Sequence, residues 1–247
     1  MTAPRLSLVI PAWNEAALLP RLLDSVDAAR QRWIEAGHAA DAIEVIVADN
    51  GSTDATAQIA SARGCRVVAV EKRVIAATRN GGAAAAQGEI LCFIDADSVL
   101  HPDSFLAASM AMTDPHTVGG ATGVTMERWS VGIALSYAMV LPLVWLTRFD
   151  TGLVFWRRAD FETLGGYDVR RMFAEDVDFL WRLRRLGRKR GQRLIRLRRV
   201  KAITSTRKFD LHGDWHYFVQ MPAQAWGMLR DPRGLNEFAR RYWYDGR

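Results

Sequence analysis

Two carboxylates one residue apart, Asp95 and Asp97, close the apolar run Ile90-Leu91-Cys92-Phe93-Ile94. If the backbone stays extended through them, their side chains point to one side and both reach a single hard cation beyond the end of a buried strand. A divalent ion held by so few protein ligands keeps coordination sites open for a diphosphate. An acidic residue after a buried strand also serves simply to cap the next turn or helix, so the pair alone decides nothing. A second acidic group, Glu175-Asp176, opens a stretch in which Phe179, Leu180, Leu183 and Leu186 recur at helical spacing. Carboxylates in a first helical turn are favoured by the helix dipole, which is reason enough for them without chemistry. Asp49 has an equally ordinary reason to be where it is, because Asp49-Asn50-Gly51-Ser52 is a strong turn signal.

The elements that must carry these groups are legible as alternation. Apolar runs Leu6 to Ile10, Ile43 to Val47, Arg66 to Val70 and Ile90 to Ile94 alternate with helix-like stretches, the pattern of a parallel sheet built from crossover units. Each run is short and nearly unbroken, as strands buried on both faces should be. Leu18, Leu19, Leu22, Leu23 and Val26 form an apolar helical stripe, with Asn14 placed to cap and Pro20 tolerable near the start. The alanines from Ala76 to Ala86 predict a tightly packed helix. Ligands of open sheets of this kind bind beyond the carboxyl ends of the strands, where Asn14, Asp49 and Asp95 emerge.

With the elements in place, five ordered motifs resemble those of the family 2 glycosyltransferases of GT-A fold. They are Pro11-Ala12-Trp13-Asn14-Glu15, Asp49-Asn50-Gly51-Ser52-Thr53-Asp54, Thr78-Arg79-Asn80-Gly81, Asp95-Ala96-Asp97, and Gly165-Gly166-Tyr167-Asp168 with Glu175-Asp176-Val177-Asp178 and Leu183-Arg184-Arg185-Leu186-Gly187. No single one is specific, but five in order over Arg5 to Arg188 are hard to obtain by chance. The resemblance implies an α/β, Rossmann-like, mostly parallel central sheet flanked by helices in a single domain. Residues 1–210 would form it, about 1–100 as the nucleotide-binding half and about 101–210 as the acceptor-binding half, with 211–247 as a short helical C-terminal extension.

The roles implied by the resemblance follow residue by residue. Asp49 reads the nucleotide base, accepting hydrogen bonds from ring or amide nitrogen. Pro11, Asn14, Glu15 and Glu175 line the nucleotide-sugar side. Arg79 lies near the nucleotide, where a planar guanidinium suits phosphate, and without the resemblance it would read as an ordinary helix-surface charge. Asp97 is the principal ligand of Mg²⁺ or Mn²⁺, with Asp95 on the ribose or a metal-bound water. Asp176 is the base that takes the proton of the acceptor hydroxyl. The reaction implied is direct, inverting transfer of one sugar from a nucleotide-diphosphate sugar to a hydroxyl. Processive members carry Gln-x-x-Arg-Trp after the base; this chain does not, which points to single additions. It also departs from the family at Arg73-Val74-Ile75, where glycines are common. Further on, Ser205-Thr206-Arg207-Lys208-Phe209 and His212-Gly213-Asp214-Trp215 resemble a C-terminal stretch in which basic or histidine side chains approach the diphosphate or metal. Arg207 is the candidate for phosphate and His212 a candidate metal ligand, though a lone histidine is more often an ordinary surface or core residue.

Composition narrows the partners. A chain of 247 residues, 49% hydrophobic, can bury a full core in one domain. Its net charge of +6 is local in origin: 179–209 contains 13 Lys and Arg and no Asp or Glu, leaving 20 basic against 27 acidic residues elsewhere. A solvated face is the ordinary reading of such a cluster, with anionic lipid head groups as an alternative. Nucleic acid is excluded as a partner because no recognition motif accompanies the charge. Val131 to Leu146 is uncharged, but sixteen residues with Pro142 inside fall short of the roughly 20 that span a bilayer. A buried helical hairpin or a membrane-surface segment is expected instead. A lipid or lipid-linked acceptor is therefore a candidate, as is peripheral attachment to an anionic membrane surface. Cys65 and Cys92 read as reduced core residues, and no basic stretch followed by an apolar one opens the chain, so cytoplasmic residence, peripheral to the inner face of the membrane, is the expectation. The tail aromatics Trp215, Tyr217, Phe218, Trp226, Tyr242, Trp243 and Tyr244 are packing candidates that also suit a membrane interface or a sugar. Two rivals remain. An Asp-x-Asp phosphohydrolase would have Thr where Val99 stands, and a non-catalytic binding module would have no need of Asp95, Asp97 and Asp176 together.

Overall fold

In the computed structural model, which describes residues 4–147, 149–171, 174–215 and 218, the four apolar runs become β1 (Leu6–Ala12), β2 (Ile43–Asp49), β3 (Arg66–Ala69) and β4 (Ile90–Phe93). They pair in parallel in the order β3-β2-β1-β4. The connections are α1 (Leu19–Glu35), α2 (Thr56–Ala62) and α3 (Ile75–Ala85), the last being the alanine helix expected from sequence. Every residue of β1 is buried. Leu6, Leu8 and Ile10 pack on one side with Leu19, Leu22 and Val26 of α1, while Val9 faces Ala76 and Ala83 of α3 on the other. That two-sided burial is why the run reads as continuous apolar sequence and not as alternation.

The remainder of the sheet continues from β4. The two-residue strand β5 (Ser98–Val99) and α4 (Ser104–Thr113) come next in the chain, then β6 (Thr117–Met126), α5 (Val131–Thr147), β7 (Val154–Arg157), α6 (Arg158–Thr163), α7 (Glu175–Lys189), β8 (Arg193–Thr204) and α8 (Arg207–His212). β7 lies antiparallel on β4, β6 antiparallel on β7, β8 parallel to β6, and β5 antiparallel to β8 at the far edge. Phe93, Trp156, Phe161, Tyr167 and Phe179 form one aromatic cluster, with ring centroids as close as 4.6 Å between Trp156 and Phe179. It seats α6 and α7 on the face of the sheet that also carries α3.

Three local expectations change. Asn14 does not cap α1, whose N-cap is Leu18 without a side-chain bond, although Pro20 does sit in the first turn. Val131 to Leu146 is one helix and not a hairpin, with Pro142 inside it. Among its described residues Gly132, Ile133, Ser136 and Thr147 are buried, while Val131, Leu135, Met139 and Leu141 are exposed. No helix of the described residues is long and apolar enough to cross a membrane. The basic stretch is largely the solvated face expected: five of its Arg and Lys residues belong to β8, where Arg193, Arg198, Arg199 and Lys201 are exposed and Arg196 pairs with buried Asp150. Cys92 is fully buried, and burial pushes its thiol well above the ordinary range. α8 runs across the expected boundary at residue 210, and of the expected extension 211–247 all but 211–215 and 218 lies outside the described residues, including Tyr217, Trp226, Tyr242, Trp243 and Tyr244.

Candidate active site

The loops after β1 and β2 are laced together at the carboxyl end of the sheet. Asn14, in the left-handed region at φ 53, donates its amide to Ser52 Oγ at 2.9 Å and accepts at Oδ1 from the Thr53 amide at 2.8 Å. Only a short polar side chain is at home in that backbone region, which explains an asparagine here better than helix capping does. Pro11 lies in the last buried pair of β1, opposite Ala48 of β2. Asp49 is buried and receives the Ser52 amide at 3.3 Å on both oxygens, and Asn50 donates to the Val70 and Lys72 carbonyls at 2.8 and 2.9 Å. Trp13, not singled out from sequence, stands beside this loop with the Arg73 guanidinium 5.7 Å from its ring centroid. Arg73 is the residue that departs from the glycines of the resemblance.

The Asp-x-Asp segment differs from the extended pair expected. β4 stops at Phe93, and the Ser98 amide donates to the Asp95 carbonyl at 3.1 Å, closing a turn over Ala96 and Asp97. The two carboxylates consequently meet different partners. Asp95 accepts from Arg79 Nη2 at 2.9 Å. Asp97 lies just before β5, whose register pairs Ser98 with Thr204, so the chain leaving β8 passes beside it. Three residues later Arg207 places Nη2 3.8 Å from Asp97 and forks onto Glu15, donating from Nη1 and Nη2 at 2.9 Å each. Glu15 is buried, and this hydrogen-bonded pairing raises the pKa of Arg207 above its ordinary value. Residues from the first loop and from the far end of the chain are thus brought together.

The other cluster surrounds Arg79. Its guanidinium donates to Glu175 and to Asp95 and lies 5.5 Å from the ring centroid of Tyr167, with only 12% of the side chain exposed. Burial works against its charge, yet Asp95 and Glu175 hold its pKa above the ordinary arginine range. Burial likewise pushes the Glu175 carboxyl up, Arg79 opposes this, and nearby Asp176 adds to it. Three carboxylates open α7, and they are treated differently. Glu175 binds Arg79, and Asp178 binds Arg171 and Arg182. Asp176, partly exposed, has no ion pair among the described residues and accepts only the Val177 amide at 2.7 Å.

Six of the expected site residues are carboxylic acids (Glu15, Asp49, Asp95, Asp97, Glu175 and Asp176) and two, Arg79 and Arg207, are arginines. Such an excess of hard oxygen donors fits a divalent cation, which would let the site take an anionic ligand. Among the described residues no three His, Cys, Asp or Glu side chains gather into a metal cage. The hard carboxylate oxygens of Asp97 and Asp95 are of the kind such an ion takes, and these two residues would be the ones to hold it. His212 ends α8, exposed, and is not part of any such triad among the described residues.

The model of the family described as "Glycosyl transferase family 2" matches residues 7–135. A PGL/p-HBAD biosynthesis glycosyltransferase of Mycobacterium bovis is 31% identical over 187 residues, 72% of this chain and 69% of the relative. Among solved structures, the mannosyltransferase PcManGT from Pyrobaculum calidifontis, in complex with GDP-Man and Mn²⁺, is similar with a TM-score of 0.64 at 23% identity, over 82% of this chain and 57% of that one. Glucosyl-3-phosphoglycerate synthase from Mycobacterium tuberculosis, in complex with Mn²⁺, UDP and glucosyl-3-phosphoglycerate, gives 0.58 at 21% identity, over 89% and 79%. The fold shared with these enzymes is the GT-A fold.

Proposed function

The chain belongs to glycosyl transferase family 2 and is a glycosyltransferase; from that premise we propose that it moves a single sugar from a nucleotide-diphosphate sugar to an acceptor hydroxyl, with inversion at the anomeric carbon. The observation that carries this reading is Asp176. It is the one first-turn carboxylate of α7 without an ion pair among the described residues, it is partly exposed, and it stands in the cluster that includes Asp95. A carboxylate so placed accepts the proton of the acceptor hydroxyl while that oxygen attacks the anomeric carbon and the nucleoside diphosphate departs. Asp49 receives the base at the carboxyl end of β2, and the face of Trp13 offers a stacking surface beside it. Asp97, with Asp95, holds Mg²⁺ or Mn²⁺, which when bound neutralises charge on the departing diphosphate. Arg207 approaches the same phosphates from the Glu15 side.

The acceptor proposed is lipid-linked. Trp129, Val131, Leu135 and Met139 expose apolar surface on and just before α5, and beyond its far end Trp181 edges against Phe149 with Arg184 over its ring at 5.3 Å. Apolar and basic side chains on one flank suit the surface of an anionic membrane, where a lipid acceptor resides.

The test is thermal unfolding of the protein with UDP-, GDP-, dTDP- and CDP-sugars, in Mn²⁺ or EDTA. A ligand at a hundred times its Kd stabilises by about 2.7 kcal/mol, which for a chain of this size is roughly 5–10 °C in Tm. Such a shift from one nucleotide, requiring metal and lost in Asp97→Ala, is the expected outcome. No shift with any of them rejects the proposal.

A further inference from the structure

We propose that Arg79 is a positioning residue that locks the first turn of α7 to the end of β4, and so sets where Asp176 meets the acceptor hydroxyl. This rests on Asp176 as the base. Sequence alone puts Arg79 on phosphate, but its geometry points elsewhere. Both arms of the guanidinium are engaged by protein, Nη2 on Asp95 at 2.9 Å and Nη1 on Glu175, and its flat face lies against Tyr167 at 5.5 Å. With both ends of the fork occupied and only 12% of the side chain exposed, Arg79 has few donors left for a ligand, whereas Arg207, also forked but 30% exposed, keeps an open side.

The neighbouring residue repeats the same connection. Asn80 donates Nδ2 to the Tyr167 carbonyl and accepts the Tyr167 amide at Oδ1, each at 2.9 Å. Two consecutive residues of α3 therefore grip the segment leading into α7, one by its backbone and one by Glu175. The grip acts on a strained junction. Ala174, the N-cap of α7, has φ 54, a left-handed conformation that L-residues rarely adopt. It turns the chain so that Glu175 points inward to Arg79, and the next residue, Asp176, stays accessible. Asn80 holds the approach to the turn, and among the described residues the Arg79 link is what ties the turn itself to Asp95.

The experiment compares wild type with Arg79→Met, Glu175→Gln and the double variant, reading kcat, nucleoside diphosphate Kd by calorimetry, and hydrogen exchange of the first-turn amides of α7. Misplacing a reacting group by about 1 Å costs about a hundredfold in rate, so each single variant is expected to lose about that much in kcat. Nucleotide Kd should stay within about twofold, since the link is not a ligand contact. Because both singles break one link, the double should lose no more than either. The first-turn amides should exchange faster in all three. Nucleotide binding weakened in parallel with kcat in Arg79→Met, or losses that multiply in the double, overturns the proposal and returns Arg79 to the phosphate. Arg79→Lys, which keeps the charge and loses the fork, should also lower kcat, and it takes the place of Arg79→Met if that variant does not fold. If wild type turns over no sugar nucleotide, the transferase reading fails, and the exchange data still decide the link: unchanged exchange in Arg79→Met and Glu175→Gln rejects it.

Discussion

A carboxylate in the first turn of a helix is stabilised by the helix dipole whether or not it reacts, so Asp176 has to be judged by its neighbours. Glu175 and Asp178 are both tied to arginines, while among the described residues Asp176 holds only the Val177 amide. Asp176→Asn keeps the shape and removes the proton acceptor. General-base assistance is worth about two to four orders of magnitude, so kcat should fall by about 10²- to 10⁴-fold in single-turnover measurements while nucleotide Kd holds within about twofold. Loss of binding with turnover intact would remove Asp176 from the chemistry. Asp49, Asp95, Asp97 and Asp176 were visible in the sequence because the signal of each is local, an acid at the end of an apolar run or the start of a stripe. Their partners were not. Arg207 reaches Glu15 across 192 positions, and Arg79 reaches Glu175 across 96. Links of that length exist only once the sheet is assembled.

Elements divided along the same line. β1 to β4 were plain because strands buried on both faces are short apolar blocks, and the structure extends or trims them by one or two residues. β6 and β8 were hidden for opposite reasons. β6 carries Gly119, Gly120 and Gly123, since a Cβ on Gly120 would lie 2.7 Å from Ile195 of β8, and β8 is interrupted by Arg and Lys. The entry to α7 permits a sharper test. Gly166 has φ +69, and a Cβ there would stand 2.7 Å from Asn80 Oδ1, the atom that accepts the Tyr167 amide. Gly166→Ala should therefore combine left-handed strain with a disturbed hydrogen bond and cost about 2 kcal/mol or more, readable as a lowered denaturant midpoint. At Gly165, φ +72 with open space around it, the same substitution should cost only the backbone part, about 1 kcal/mol. Equal losses at the two sites would mean that the Asn80 contact contributes nothing.

Over the whole molecule, charge and apolar surface are unevenly spread. The basic stretch 179–209 supplies the later turns of α7 and all of β8, and the exposed side of α5 is free of charge. Basic residues near an anionic bilayer each contribute about 1 kcal/mol at low ionic strength, and salt removes most of it. The protein should therefore float with phosphatidylserine vesicles at low salt and be released by about 0.5 M salt. A Leu135→Asp, Met139→Asp variant, altered only at exposed positions, should float less while keeping its Tm. Flotation unaffected by the double aspartate would exclude α5 from the contact. The edge strand β5 has one last implication, for biosynthesis. Among the described residues Ser98 and Val99 pair only with Thr204 and Ile203 of β8, so a ribosome has made more than a hundred further residues before Asp97 has a fixed place. Non-local pairing of this kind forms late, and domains fold as units once their chain is available. The nascent protein would then acquire its nucleotide affinity in one step once β8 has been made, and a chain cut before β8 would emerge as a partial sheet that its donor could not rescue.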